Sequence, residues 1–235
     1  MVEITNLFKK FGKNDVLNGI NLSIKEGGIF AVLGPNGSGK TTIIKTILGM
    51  VIPDEGTIKV FESNIKNNSD YRHKIDYLPQ IANFPSNLKV NELIKMIKDL
   101  RGHTEVDKDL IETFKLEPFL NKKLGTLSGG TKQKVNIVLT FMFNSPIIIL
   151  DEPTTGLDPI SLIRLKELIQ AEKAKGKTII ITSHIMSFVE EVADEIVFIL
   201  EGKIYFKGSI SELKTKTKQQ DFEHAIANIL TENHV

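Results

Sequence analysis

Residues 34 to 41 read Gly-Pro-Asn-Gly-Ser-Gly-Lys-Thr, a match to G-x-x-x-x-G-K-[ST], and Thr42 follows directly. Glycines at this spacing let successive backbone amides turn toward one anion, and a helix starting at their end adds its positive dipole terminus. Lys40 can then reach β- and γ-phosphates, while the Thr41 hydroxyl suits Mg²⁺. Asn36, Gly37, Ser38, Gly39, Lys40, Thr41 and Thr42 are therefore candidate phosphate-binding residues. The plainer alternative is a glycine-rich turn capping an ordinary helix. The flanking sequence argues against it: IFAVL at 29 to 33 reads as a buried strand, and TTIIKTILGM reads as a helix stopped at Gly49.

Further chemistry-bearing residues lie downstream. IIILDE at 147 to 152 is an apolar strand ending in two carboxylates. Strand alternation predicts that Asp151 and Glu152 point different ways, Asp151 toward a cation and Glu152 toward a water molecule. His184 follows TIIITS, the end of another strand, and Gln80 closes the short strand IDYLP. His73, His103, His224 and His234 occupy polar, irregular or terminal stretches and read as ordinary surface histidines. A second glycine-rich capping site stands in LSGGTKQKV, where Ser128, Gly129 and Gly130 lead into a helix. One nucleotide needs one cradle, so this second anion site needs a different client.

These residues must be held by surrounding elements. VEITNLF, VLNGINLSI and TIKVF read as strands, with Ile20, Leu22 and Ile24 alternating onto one face. From Asn87 to Asn144 the pattern turns helical, after which IIILD, a helix over about 160 to 175, TIIITS, a helix over 186 to 193 and a hairpin turning at Glu201-Gly202 restore the strand and helix alternation. Such alternation predicts a parallel sheet covered on both faces, with ligands at the carboxyl ends of its strands. The domain reading is a nucleotide-binding α/β core with a β subdomain over 1–80 and 146–210, an inserted helical subdomain over 81–145, and a polar tail over 211–235. No internal repeat is visible.

Composition narrows the class. The 235 residues carry 30 Lys and Arg against 29 Asp and Glu, so charge gives no support to nucleic-acid binding. The absence of cysteine excludes disulfides and thiolate metal sites. No apolar run approaches the roughly 20 residues of a spanning helix, and MVEITNLFKKFGK has no signal-type apolar core. The expected location is cytoplasmic.

The order of motifs, phosphate loop, Gln80, LSGG, LDE, Gly156-Leu157-Asp158, His184, resembles the ATP-binding-cassette (ABC) ATPases over residues 2 to 210. The resemblance implies the P-loop NTPase (RecA-like) α/β core with an N-terminal antiparallel β subdomain and an inserted α-helical subdomain. It implies ATP and Mg²⁺ as cofactors, the ion near Thr41, Gln80 and Asp151. It also implies Glu152 as general base, His184 at the γ-phosphate, Gln80 linking the site to the helical insert, Asp158 at a subunit interface, and Phe11, before Gly12, as the ring stacked on adenine. Ser128, Gly129 and Gly130 are implied to cap the ATP of another subunit, in a head-to-tail homodimer or a pair with a second cassette. Thr131 departs from the family's usual glutamine, which puts contact with the partner's ribose in doubt.

The implied function is hydrolysis of ATP to power a separately encoded membrane permease that docks on the helical subdomain, with the chain peripheral on the inner face of the cell membrane. The compact DEPTTGLDP run looks exporter-type or membrane-remodelling. YLPQIANFPSNLKVNELI and FMFNSPIIILDEPTTGLDPISL also look similar to copper-processing cassettes. The competing reading is a soluble ABC ATPase acting on nucleic acid or ribosomes, which the charge balance and single cassette disfavour. A binding-only regulator is disfavoured by intact Glu152 and His184.

Overall fold

The computed structural model describes residues 1–101 and 107–232, so His103 and His234 lie outside the described residues. In chain order the strands and helices begin with β1 (Val2–Phe11), β2 (Asn14–Ile24), β3 (Gly28–Leu33), α1 (Lys40–Ile47), β4 (Glu55–Val60), β5 (Ser63–Asn64) and β6 (Ile75–Leu78). The helical insert holds α2 (Val90–Arg101), α3 (Asp107–Thr113) and α4 (Gly129–Phe141). The chain then runs through β7 (Ile147–Asp151), α5 (Pro159–Ala174), β8 (Thr178–Thr182), α6 (Met186–Val192), β9 (Glu195–Leu200), β10 (Lys203–Gly208), α7 (Ile210–Thr217) and α8 (Phe222–Glu232).

Two sheets result. The N-terminal one is antiparallel, in the order β2-β1-β4-β5. The other has the order β10-β9-β3-β8-β7-β6, parallel from β9 to β6 with β10 folded back antiparallel at one edge. Its central strands are apolar throughout because both faces are covered. Ile29, Ala31 and Leu33 of β3 enter one core with Ile148, Leu150, Ile179 and Ile181. Phe30 and Val32 enter the opposite core with Ile147, Ile149 and Ile180. The first core includes the insert, α5, α6 and α8; the second joins α1 to the antiparallel sheet, where Ile20, Leu22 and Ile24 are buried as their alternation predicts.

The segment after Ile210 differs from the polar tail expected. Leu213 of α7 and Phe222, Ala225, Ile226 and Ile229 of α8 are buried in the main core. Their spacing along α8 is that of one helix face, so the polar residues between them occupy the solvent side.

The insert is fastened to the sheet by a charge pair. Asp76 of β6 is fully buried, and Arg101 at the end of α2 donates to it at 2.5 Å. Arg101 also reaches Ser145 Oγ at 3.2 Å and lies 4.4 Å from the Phe143 ring centroid. Burial pushes the Asp76 carboxyl above the usual range, with Arg101 and Ser145 opposing the shift. Replacing the guanidinium leaves a carboxylate without its compensating charge. Arg101→Leu is expected to cost about 3 kcal/mol, seen as a lower urea midpoint, and adding Asp76→Asn to it should restore part of the loss.

Candidate functional site

The phosphate loop joins the buried end of β3 to α1, and two of its glycines are demanded by close packing. A Cβ at Gly34 would lie 2.1 Å from the Ile199 carbonyl oxygen. At Gly39, which caps α1 with φ 104°, it would lie 2.9 Å from the Val16 carbonyl and 2.8 Å from Leu17 Cδ2. The loop is thus pressed against β9 and β2. Lys40 folds back over it, donating to the carbonyls of Gly34 at 2.7 Å and Pro35 at 2.9 Å. Burial lowers the pKa of this ammonium, while the charges of Glu152 and Asp151 act to raise it. An entering phosphate oxygen offers the desolvated cation a full negative charge in place of two carbonyl dipoles. The loop residues Asn36, Gly37, Gly39, Lys40, Thr41 and Thr42 line a cavity of about 330 Å³ with Val16, Gln80 and Glu152. Ser38 is buried beside it, its hydroxyl without a protein partner.

Glu152 lines this cavity, and the register of β7 and β8 places its neighbour Asp151 opposite Thr182. The Thr182 hydroxyl donates to Asp151 Oδ1 and accepts from the Glu152 amide at 3.0 Å, using both of its capacities. Strand alternation is not what separates the two acids. The strand ends at Asp151, and Glu152 takes a left-handed backbone, φ 50°, with its amide also bonded to the Thr182 carbonyl at 3.1 Å. Glu152 Oε2 then meets His184 Nδ1 at 2.7 Å, and the histidine is otherwise 64% exposed. Burial and the Asp151 charge push the Tyr77 phenol, on neighbouring β6, up to about 12, so it stays protonated.

Asp151 Oδ2 is buried without a protein partner, an oxygen suited to a hard cation. Among the described residues no three His, Cys, Asp or Glu side chains converge as a metal cage. A Mg²⁺ ion fits this set, because it needs few protein oxygens and completes its shell with water and phosphate. Thr41 and Gln80 line the cavity and can contribute. Gln80 is itself exposed, but its segment is tied to the insert, since Asn136 of α4 donates to the Pro79 carbonyl at 3.1 Å.

Ser128, Gly129 and Gly130 lie elsewhere and do not line the cavity. Ser128 caps α4, accepting from the Thr131 amide at 3.2 Å and pairing with the Thr131 hydroxyl at 2.9 Å. Gly129 is exposed with open space around it, whereas a Cβ on Gly130 would come within 2.5 Å of the Gly156 carbonyl. Two further bonds tie α4 to the loop after Glu152. Gln133 donates to the Pro153 carbonyl at 2.9 Å, and Lys134 pairs with Asp158 at 2.7 Å. Asp158 also caps α5 through the Ser161 amide and hydroxyl, and Lys134 and Ser161 together hold its carboxyl well below the usual range. Phe11 stands at the end of β1, 50% exposed and outside the cavity lining, with the Lys9 ammonium 5.3 Å from its ring centroid. Sequence reasoning missed Val16, Thr182, Gln133 and Lys134. For Thr182 a signal existed, its place at the end of a strand that must pair with IIILD.

The sequence matches the ABC transporter family model over residues 17–155, and an AAA-domain model (putative AbiEii toxin, Type IV TA system) over 121–190. It is 38% identical over 213 residues to the lantibiotic transport ATP-binding protein SrtF of Streptococcus pyogenes, covering 87% of this chain and 89% of that one. To a Nod factor export ATP-binding protein I of Burkholderia lata it is 34% identical over 215 residues, 88% of this chain and 70% of the relative. Among solved structures, a dimeric ATP-binding cassette in a post-hydrolysis state, bound to ADP and Pi, superposes with a TM-score of 0.80 at 27% identity, covering 89% of this chain and 98% of that one.

Gly130→Ala tests the seam between α4 and the loop after Glu152, because the added methyl meets backbone that cannot swing aside. The expected cost is about 2 kcal/mol, read as a lowered urea midpoint. Gly129→Ala, with open space at its Cβ, should cost much less.

Proposed function

The chain belongs to the ABC transporter ATP-binding cassette family, and from that premise we propose that it binds and hydrolyses ATP as the energy-supplying subunit of an exporter whose membrane-spanning subunit is a separate chain. The observation that carries the reading is the convergence of the phosphate loop with Glu152 on one cavity, where Glu152 is braced by Thr182 and His184. In this reading the loop amides and Lys40 bind the phosphates, with Lys40 stabilising the charge that develops on the transferred group. Glu152 takes the general-base role, orienting a water molecule and accepting its proton on a carboxylate oxygen. The bond from Nδ1 to Glu152 fixes the His184 ring, whose assigned partner is the γ-phosphate. Asp151, Thr41 and Gln80 are the residues that would hold Mg²⁺, which when bound neutralises phosphate charge. Phe11 is the proposed stacking surface for adenine; its exposure leaves a ring face free for that purpose.

Ser128, Gly129 and Gly130 have no place in their own chain's cavity, yet they begin a 13-residue helix, with Ser128 and Gly129 exposed. We assign them to the ATP of a second subunit, so that two cassettes pair head to tail, as copies of this chain or with a second cassette. The dimeric relative supports the pairing. Thr131 spends its hydroxyl on Ser128, which leaves it short of a partner's ribose. The DEPTTGLDP segment, by this reading, presents Asp158 at the interface.

No helix among the described residues is long and apolar enough to cross a membrane. The membrane subunit is assigned to the helical insert, 81–145, which places this chain on the cytoplasmic face. The relatives reported serve lantibiotic transport and Nod factor export, which favours an exporter. The finer likeness to copper-processing cassettes gains nothing from them. A role on nucleic acid or ribosomes is likewise not favoured, given 30 basic against 29 acidic residues.

Glu152→Gln is expected to keep ATP affinity, lose steady-state turnover by at least about a hundredfold and accumulate an ATP-bound dimer on size exclusion. Undiminished hydrolysis removes Glu152 from the base role. Ser128→Arg should stop turnover while ATP still binds the isolated chain, and a Ser128→Arg chain that turns over normally would falsify the shared site. Affinity purification from solubilised membranes should recover an integral membrane protein; consistent recovery of ribosomes or RNA instead overturns the transporter assignment.

A further inference from the structure

The two C-terminal helices cover the element that sets the position of His184. Its ring is mostly solvent-exposed and bonded to Glu152, so its placement depends on the backbone that carries it. That backbone runs from Ser183, whose hydroxyl accepts from the Ile185 amide at 3.1 Å, directly into α6. At seven residues, and with no side-chain bond at its N-cap, α6 is far below the length at which a helix holds itself together in water. Its order must come from packing.

That packing has two sources. On one side is α5: Lys166 pairs with Glu191 at 2.5 Å, and Gln170 donates to the Val192 carbonyl at 3.4 Å. On the other side are the C-terminal helices. Lys214 of α7 pairs with Glu190 at 2.7 Å, and α8 packs directly on α6. The ion pairs are partly exposed and contribute little. The apolar contact carries more, since Phe222 and Ala225 of α8 are fully buried in the core that holds Phe188, Val189 and Val192 of α6. A capping box at Ser209 and Glu212 starts α7 at a fixed point after β10, so the pair of helices is tied to the sheet edge.

The geometry points to α7 and α8 as a positioning clamp for the histidine segment. They hold α6 against α5 and thereby keep His184 on Glu152, with Phe222 as the main positioning residue. None of these residues touches the nucleotide cavity. The inference rests on the reading of His184 as a γ-phosphate contact. Loosening the clamp should impair the chemical step while leaving the phosphate loop intact, because α1, into which that loop runs, packs in the core on the opposite face of the sheet.

The test uses full-length Phe222→Ala, with Phe222→Leu as the conservative counterpart. Steady-state turnover should fall about tenfold in Phe222→Ala, ATP affinity should stay within about twofold, and Phe222→Leu should recover most of the rate. Amide hydrogen exchange should accelerate about tenfold across 184–192 and stay unchanged across 34–47. Should Phe222→Ala not fold, Ile226→Val is expected to give the same pattern at smaller amplitude. Turnover within twofold of the parent, ATP affinity falling in step with turnover, or exchange rising equally in both segments overturns the clamp. His184→Ala, assayed alongside, separates the failures. If it abolishes turnover while Phe222→Ala stays within twofold of the parent, the clamp alone falls; if His184→Ala turns over normally, the reading of His184 falls and the clamp with it.

Discussion

The pairing of β7 with β8 is the constraint on which the rest of the molecule depends. One hydroxyl, that of Thr182, bonds the side chain of Asp151 and the amide of Glu152, so the two acids are placed by backbone register instead of by flexible side-chain choice. A slip of one residue would turn the alternate apolar residues of each strand into the wrong core and move Thr182 off both acids. The two cores on either face of the sheet therefore hold the geometry of the proposed site as well as the fold. The same arrangement explains why Thr182 and Asp151 tolerate deep burial. The Thr182 hydroxyl satisfies one Asp151 oxygen, and the other, buried without a protein partner, is suited to a hard cation.

Different parts of this arrangement were visible in the sequence for different reasons. The continuous apolar runs IFAVL, IIIL and TIII announce strands covered on both faces, and the glycine spacings of 34–39 and 129–130 announce backbone offered to anions. Those signals are local. Thr182 was passed over because a β-branched residue in a strand reads as a strand former; the one signal was its place at the end of a strand that must pair with IIILD, and its second role exists only across that register with β7. Glu152 was expected to diverge from Asp151 by pleating, whereas the divergence comes from a left-handed turn, which no residue type at 152 advertises. The tail was expected to be polar, yet Phe222, Ala225, Ile226 and Ile229 follow a helical stripe that a closer count of spacing would find. Its polar residues outnumber the stripe and dominate the composition.

The position of Lys134 shows a related limit. Within KQKV it reads as one more solvated charge on a helix, and a partly exposed ion pair of this kind stabilises little by itself. Its partner Asp158 is already held by two bonds from Ser161, so Lys134 adds a third contact to a fixed carboxylate and need not order a mobile one. The entropic cost that weakens most surface pairs is correspondingly smaller here. The contact gains its meaning from what it connects, since α4 begins at the second anion site and Asp158 ends the loop that starts at Glu152.

That connection bears on how two ATP sites could act together. Gly130 packs backbone to backbone on Gly156, Gln133 holds the Pro153 carbonyl, and Lys134 holds Asp158, which places three fasteners along one short seam. Through that seam, the helix that begins at the serine and glycines assigned to a partner's ATP is fastened to the loop that begins at the glutamate assigned to the chain's own ATP. On the proposed head-to-tail pairing, closing Ser128 on the partner's phosphate also fixes the loop leading back to Glu152. Burial of Gln133 keeps the middle fastener out of competition with water. The second glycine-rich motif and the loop after Glu152 thus share a single packed interface.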